Sequence, residues 1–292
     1  MQSNCRLLIA LALGSMLAVG ISTGAAAEAE APKEEAKKVT GLRNPESAVG
    51  HLDGRIFVSE IGEFDKDGDG KITVIMPDGG KQVLADGLDD PKGIDLWNDT
   101  LYVTDKTRVV KVSLDGKTSV FAQAKDFPSR PEFLNDIEID GEGNVYVSDS
   151  GKEDGSGSGI YRIGQDGEVT QILAENRGIQ RPNGLLLDGI NALLVTDFGT
   201  GELFRLDLIR GKVIDLNSGL GGADGLVRDS RGYLYVSDWK GGKVWRLVEP
   251  SSPPQLMKTD YQSAADIALA PDGRYLLVPD MKAGELHFLS VW

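Results

Sequence analysis

Cysteine and histidine are nearly absent: one Cys and two His in 292 residues. A single thiol, Cys5, excludes a disulfide-stapled scaffold and a cysteine-rich zinc centre. Two histidines, His51 and His287, leave no material for a histidine-rich metal site. Basic residues are short as well, 31 Lys and Arg against 45 Asp and Glu, for a net charge of −14. A surface for nucleic acid or an anionic membrane needs clustered positive charge, so neither is an expected partner. No stretch long enough for a regular helix carries a 3.6-residue apolar period. Glycine, by contrast, is abundant at 37 residues, which points to many tight turns and many short strands. The length is enough to bury a large core.

The one long apolar run, residues 7–22, follows Arg6 and precedes Gly24-Ala25-Ala26-Ala27. Residues 1–27 therefore read as a secretory signal, because the run is short for a span of about 20 residues and contains Gly14 and Gly20. The expected product is exported, periplasmic or secreted, with no membrane attachment after cleavage. Retention of the segment as an anchor is the alternative. Residues 28–38 (EAEAPKEEAKK) have no apolar period and read as a flexible charged linker. The folded domain is expected over 39–292.

That domain repeats itself. Short alternating strands read RIFVSE, TLYVTD, NVYVSD, ALLVTD, YLYVSD and YLLVPD. They end in Glu60, Asp105, Asp149, Asp197, Asp238 and Asp280, at intervals of 41 to 48 residues. Each is preceded by a short apolar strand and followed by another, with a fourth in most units. β-Branched and aromatic residues in such alternation make sheet. Four antiparallel strands per unit, six times over, predict an all-β, six-bladed β-propeller. The last unit has only three strands before Trp292, so Lys38–Arg43 (KVTGLR) is expected to supply the fourth and close the ring.

Fourteen residues before the terminal acids stand Glu46, Asn135, Asn183, Asp224 and Asp266; the second unit offers Pro91, or Lys92 with a one-residue gap. These positions open the first strand of each blade, which lines the axis, so the side chains are expected to converge at one mouth. Clustered carboxylates repel unless a cation or proton intervenes. Two carboxylates and two amides form an all-oxygen set suited to a hard divalent ion. The predicted ligands are Glu46, Asn135, Asn183 and Asp224. Asp136 and Asp266 are candidates to orient them from just behind. Strand alternation turns Asp136 away from the metal if Asn135 points in, and Lys92 is expected to point to solvent.

Pro45-Glu46-Ser47, Leu134-Asn135-Asp136, Pro182-Asn183-Gly184-Leu185 and Ala223-Asp224-Gly225-Leu226, in this order on successive blades, resemble the regucalcin/gluconolactonase (senescence-marker-like, LRE) family of six-bladed propellers. The likeness covers about residues 40–292 and extends to phosphotriesterase-type calcium propellers. The resemblance implies metal-dependent hydrolysis of lactones or related esters. It implies calcium, with zinc, magnesium or manganese as alternatives, and Asp224 as the catalytic group that activates water. It implies a small-molecule substrate and a monomer. The family's sugar-lactone members carry Arg two residues before the Asn of the third repeat unit, here Asn135, where this chain has Phe133. A sugar lactone is therefore not carried over.

Asp65, Asp67 and Asp69, with the Lys71 carbonyl, follow the first half of a calcium loop, but position twelve is Met76 and the flanks are strands. A second, hairpin-held ion and a plain polar turn are both open here. No serine lies in a nucleophile-elbow pattern. A non-catalytic propeller that binds a ligand or protein is the alternative function, since the fold hosts many.

Overall fold

The computed structural model describes residues 37–175 and 177–292. The proposed signal, 1–27, and residues 28–36 of the linker lie outside the described residues. Six four-stranded antiparallel sheets make up the described residues. Their blades run over residues 45–88, 91–122, 134–174, 182–217, 223–258 and 268–290, the sixth completed by Lys38–Thr40. Within each blade strand order follows chain order, innermost strand first, except where the N-terminal strand joins the outer edge of blade six. One 3-10 turn, Ala124–Asp126, is the sole helical element among the described residues.

The second strand of each blade is buried on both faces, which is why it reads as an apolar run up to the residue before its terminal acid. Apolar side chains from neighbouring blades meet in six clusters, one per interface. Phe57 and Ile72 of blade one pack against Ile94 and Val103 of blade two. Tyr146 and Ile160 of blade three pack against Leu193 and Phe204 of blade four. Leu277 and Phe288 of blade six pack against Ile56 and Val58 of blade one, which completes the circle.

The closing strand pairs Lys38 with His287, Val39 with Leu286 and Thr40 with Glu285. The Phe288 N–H also donates to the Lys37 carbonyl at 2.9 Å. The folded unit thus starts slightly before the expected boundary at residue 39: Lys38 is strand, not linker. This pairing covers the outer edge of Glu285–Ser290.

Candidate metal and substrate centre

The innermost strands break the regular alternation at one recurring position. In blade one Pro45 pairs with Glu60 and Ala48 with Val58, so Glu46 and Ser47 together face Ser59. The same two-against-one step recurs between Pro91 and Ile94, Leu134 and Ile137, Pro182 and Leu185, and Ala223 and Leu226. A β-bulge at one site in successive blades bends each strand and re-aims its side chains. Here it sets two layers on the axis. Glu46, Lys92, Asn135, Asn183 and Asp224 hold the first bulge position, and Ser47, Gly93, Asp136, Gly184 and Gly225 hold the second.

Blade six departs from the fourteen-residue count. Ala264 bridges Asp280 and Ala268 pairs with Leu277, which puts Ala265 at the first bulge position and Asp266 at the second. Asp266 is therefore one layer below the ring, because the blade-six hairpin is one residue longer. Blade two is one residue shorter, so Lys92 takes the ring position. Asp136 Oδ2 accepts the Leu185 N–H of blade four at 2.6 Å.

Three elements fix this geometry. First, the Ser or Thr just before the terminal acid in blades one to five serves the bulge. The hydroxyls of Ser59, Ser148 and Ser237 accept the N–H groups of Ser47, Asp136 and Gly225 at 2.9–3.0 Å. Thr104 and Thr196 instead donate across the blade boundary to the carbonyls of Asn135 and Asp224. Second, glycine allows neighbouring bulges to touch: a Cβ on Gly225 would lie 2.6 Å from Asp266 Cα and 2.6 Å from Ile267 N. Third, the terminal acids pin the loop that enters each inner strand. Asp149 accepts the N–H groups of Glu132, Phe133 and Gly151 at 2.8–2.9 Å. Asp197 accepts those of Gln180, Arg181, Gly199 and Thr200 at 2.6–3.2 Å.

Glu46, Asn135, Asn183 and Asp224 line one cavity of about 190 Å³. All four are buried. Glu46 Oε2 and Asp224 Oδ1 are enclosed with no hydrogen-bond partner, a costly state for a carboxylate oxygen. Burial drives the Glu46 carboxyl well above its ordinary range, with the charges of Asp224 and Asp266 adding to the shift. Burial and Asp266 do the same to Asp224. The Asn135 amide N–H donates to Ser150 Oγ at 3.1 Å, which leaves its carbonyl oxygen unspent in this bond.

This set fits a hard divalent cation. Two orphaned carboxylate oxygens and two amide oxygens are the donors calcium, magnesium or manganese prefer, and a cation would relieve the repulsion that raises both acids. Among the described residues no three His, Cys, Asp or Glu are grouped to hold an ion by themselves, so the two asparagines are integral to any such site.

Below the ring, Asp136 and Asp266 carry raised carboxyls, each mainly through burial, Asp266 to about 7. Ser47 Oγ donates to Asp266, and Asp266 N–H to the Glu46 carbonyl at 3.0 Å. A layer further along, Asp95 and Glu138 stand on adjacent blades; burial lifts them to about 7 and about 8, and the charge of Asp95 adds to the Glu138 shift.

Lys92 is not solvated. It is 2 % exposed, lines the cavity, and holds Nζ 4.2 Å from the centre of the Phe133 ring and 3.2 Å from the Asp90 carbonyl. Asp67 and Asp69 of the acidic hairpin turn to separate cations, Lys106 at 2.6 Å and Arg43 at 3.2 Å, and Lys71 Nζ lies 3.5 Å from Glu60. The structure does not gather Asp65, Asp67 and Asp69 around a shared point among the described residues. His51 bonds Asp53 and Asp99 in a blade turn, and His287 lies on the outer side beside Glu285.

A family model described as SMP-30/gluconolactonase/LRE-like region matches residues 96–278. No curated protein matches the chain in sequence. Among solved structures, a protein assigned as a gluconolactonase superposes with TM-score 0.70 at 18% identity, over 88% of this chain and 93% of that one. The calcium-binding protein regucalcin from Agrobacterium tumefaciens gives 0.70 at 18% identity, over 86% and 90%. A chain of a nidogen/laminin complex gives 0.62 at 22% identity, over 75% and 81%. At these identities the likenesses to solved structures establish the propeller alone.

Proposed function

As the chain belongs to the SMP-30/gluconolactonase/LRE-like family, we propose that it is an exported, monomeric, metal-dependent hydrolase of lactones or related esters. The observation that carries this reading is the convergence of Glu46, Asn135, Asn183 and Asp224 on one cavity with two orphaned carboxylate oxygens. These four residues would hold the ion, calcium first by donor type. A bound divalent ion supplies Lewis-acid polarisation of a carbonyl and stabilises developing oxyanion charge. Asp224 accepts the proton of the attacking water at its carboxylate, which requires the ionised form. Glu46 and Asn135 keep their side chains fixed through the bulge, Asn135 by its bond to Ser150. Asp136 and Asp266 support the ring from the layer beneath. The apolar walls exclude bulk water from the reacting carbonyl.

Metal analysis of the purified protein against an Asn183→Ala, Asp224→Ala double variant tests the site. Loss of bound metal together with loss of chelator-sensitive hydrolysis across a lactone panel is expected. Unchanged metal content removes the assignment, and a metal-loaded protein that turns over no lactone or ester removes the activity. Mass measurement of the exported protein's N-terminus checks cleavage after residue 27. A second reading, a propeller that holds a ligand without converting it, is favoured by one feature: the positive charge of Lys92 already partly offsets Glu46.

A further inference from the structure

Two cations that form no salt bridge among the described residues, Lys92 and Arg181, line the same cavity as the oxygen ring. In a chain with 45 Asp and Glu against 31 Lys and Arg, an unpaired buried cation is conspicuous, because carboxylates are plentiful. Lys92 is buried at a ring position, and its ammonium spends one N–H on the Asp90 carbonyl. Arg181, from the loop entering blade four, lines the same cavity. Its Nε is enclosed without a hydrogen-bond partner. No salt bridge within 4.0 Å involves either residue among the described residues, whereas Lys71, Lys106 and Arg108 nearby are all paired. Buried donors left unspent in this way cost stability unless a ligand takes them up.

The mouth repeats the theme. Arg181 lies over the Phe198 ring at 5.3 Å, and Lys240 covers the same ring at 4.3 Å. Lys282 lies over Trp239 at 4.1 Å. Phe198 and Trp239 are themselves cavity walls. Neither Lys240 nor Lys282 joins a salt bridge among the described residues, so an acidic protein presents a positive collar at this one opening. Such a collar concentrates anions and steers them inward. Apart from Ser150, the remaining walls are apolar, with Ile61, Phe64, Phe133 and Met281, and Phe64 is half exposed at the rim. A polyhydroxylated ring would leave its hydroxyls unmatched against such walls.

We propose that Lys92 and Arg181 form a carboxylate-binding subsite, and that the cavity takes an organic acid with an apolar or aromatic body. The substrate class follows as lactones or esters that carry their own carboxylate; this part rests on the hydrolase reading above. Lys92 and Arg181 are positioning residues here: they orient the acid, while the four oxygen ligands face the carbonyl.

The test separates the two layers of the argument. Calorimetric binding of benzoate is compared with that of its neutral isostere benzamide, in calcium-loaded and in chelator-treated protein. The wild type is expected to prefer benzoate at least tenfold in both states. Lys92→Met and Arg181→Met should each lower that preference at least threefold, and Lys92→Arg should retain it. Benzamide binding should stay within twofold throughout. Equal binding of the two probes by the wild type overturns the proposal. So does a preference that chelation abolishes but Lys92→Met and Arg181→Met leave intact, since the anion would then sit on the ion. If Lys92→Met fails to fold, Arg181→Met carries the comparison. Failure of the lactone panel with a Lys92-dependent benzoate preference intact sinks the hydrolase reading alone.

Discussion

The carboxyls of Asp95 and Glu138 make the stability of this propeller fall as pH rises. Burial in the channel lifts them from 3.8 and 4.5 to about 7 and about 8. Between the unfolded and folded values each group keeps its proton in the native chain and has lost it in the unfolded one. Folding then takes up protons, and stability declines by about 1.4 kcal/mol per pH unit for each group. The decline begins above about pH 4 and ends once pH passes about 8, when both states are ionised. Taken alone, Asp95 with its shift of about three units would lose roughly 4 kcal/mol. The two are not additive, because Asp95 is one cause of the Glu138 shift and both keep a little surface toward the channel. About 3–5 kcal/mol for the pair is the working figure. The charge of Asp266 reaches both groups, and Asp136, Glu46 and Asp224 titrate in the layers above, so the wild-type curve alone does not isolate the pair. The difference between wild type and Asp95→Asn, Glu138→Gln does. Urea unfolding with chelator present, at one-unit steps from pH 5 to pH 9, should show the variant losing at least 2 kcal/mol less than wild type. The Leu96 and Leu187 N–H groups now bonded to these carboxylates can bond the amide oxygens instead. Parallel curves would show that the channel carboxyls ionise as readily folded as unfolded, and the account of a desolvated acidic column would fail.

Two further outcomes follow from the same contacts. Asp197→Ala strips four backbone N–H groups of their acceptor at the entrance to blade four; a loss on the order of 3 kcal/mol in urea unfolding is expected, and a loss below 1 kcal/mol would show these bonds to be replaceable by water. Removal of residues 1–40 exposes the edge of Glu285–Ser290, which now pairs with Lys38–Thr40; lower thermal stability and concentration-dependent aggregation by light scattering are expected, and an unchanged melting temperature would deny the strand its closing role.

The repeat was legible because two local rules agree over every unit. Strand alternation buries one face, and the apolar second strand buries both, so the six runs from RIFVSE to YLLVPD announce six inner sheets. The ring residues were legible to the extent that hairpins keep one length. Four blades do, and Glu46, Asn135, Asn183 and Asp224 follow at a fixed distance from the terminal acid. Blade six is one residue longer and blade two one shorter, so counting moved Asp266 up a layer and left Lys92 ambiguous. The burial of Lys92 was not readable at all. A lysine at a strand start is ordinarily solvated, and only the packing of Phe133 beside it and the curvature of the ring enclose it.

The bulges of the inner strands left a mark in the sequence. Alternation assumes an unbroken ladder, and here the ladder between the first two strands breaks at the ring position in blades one to five. The sign of that break was present in the tripeptides VSE, VTD, VSD, VTD and VSD. The terminal acid is the obvious feature, yet the hydroxyl before it faces the bulge, by accepting its extra N–H in blades one, three and five or by bonding the neighbouring blade in two and four. A hydroxyl in an otherwise apolar, fully buried strand has to find a partner. Its recurrence one residue ahead of five of the six acids is therefore a physical marker of an irregular neighbour. Glycine at the second bulge position is the complementary marker, since at Gly225 a methyl group would collide with the backbone of blade six. Hydroxyl, glycine and acid together hold the axial side chains in place from three directions, so a variant that keeps Glu46, Asn135, Asn183 and Asp224 but loses these supports would retain the ligands without their geometry.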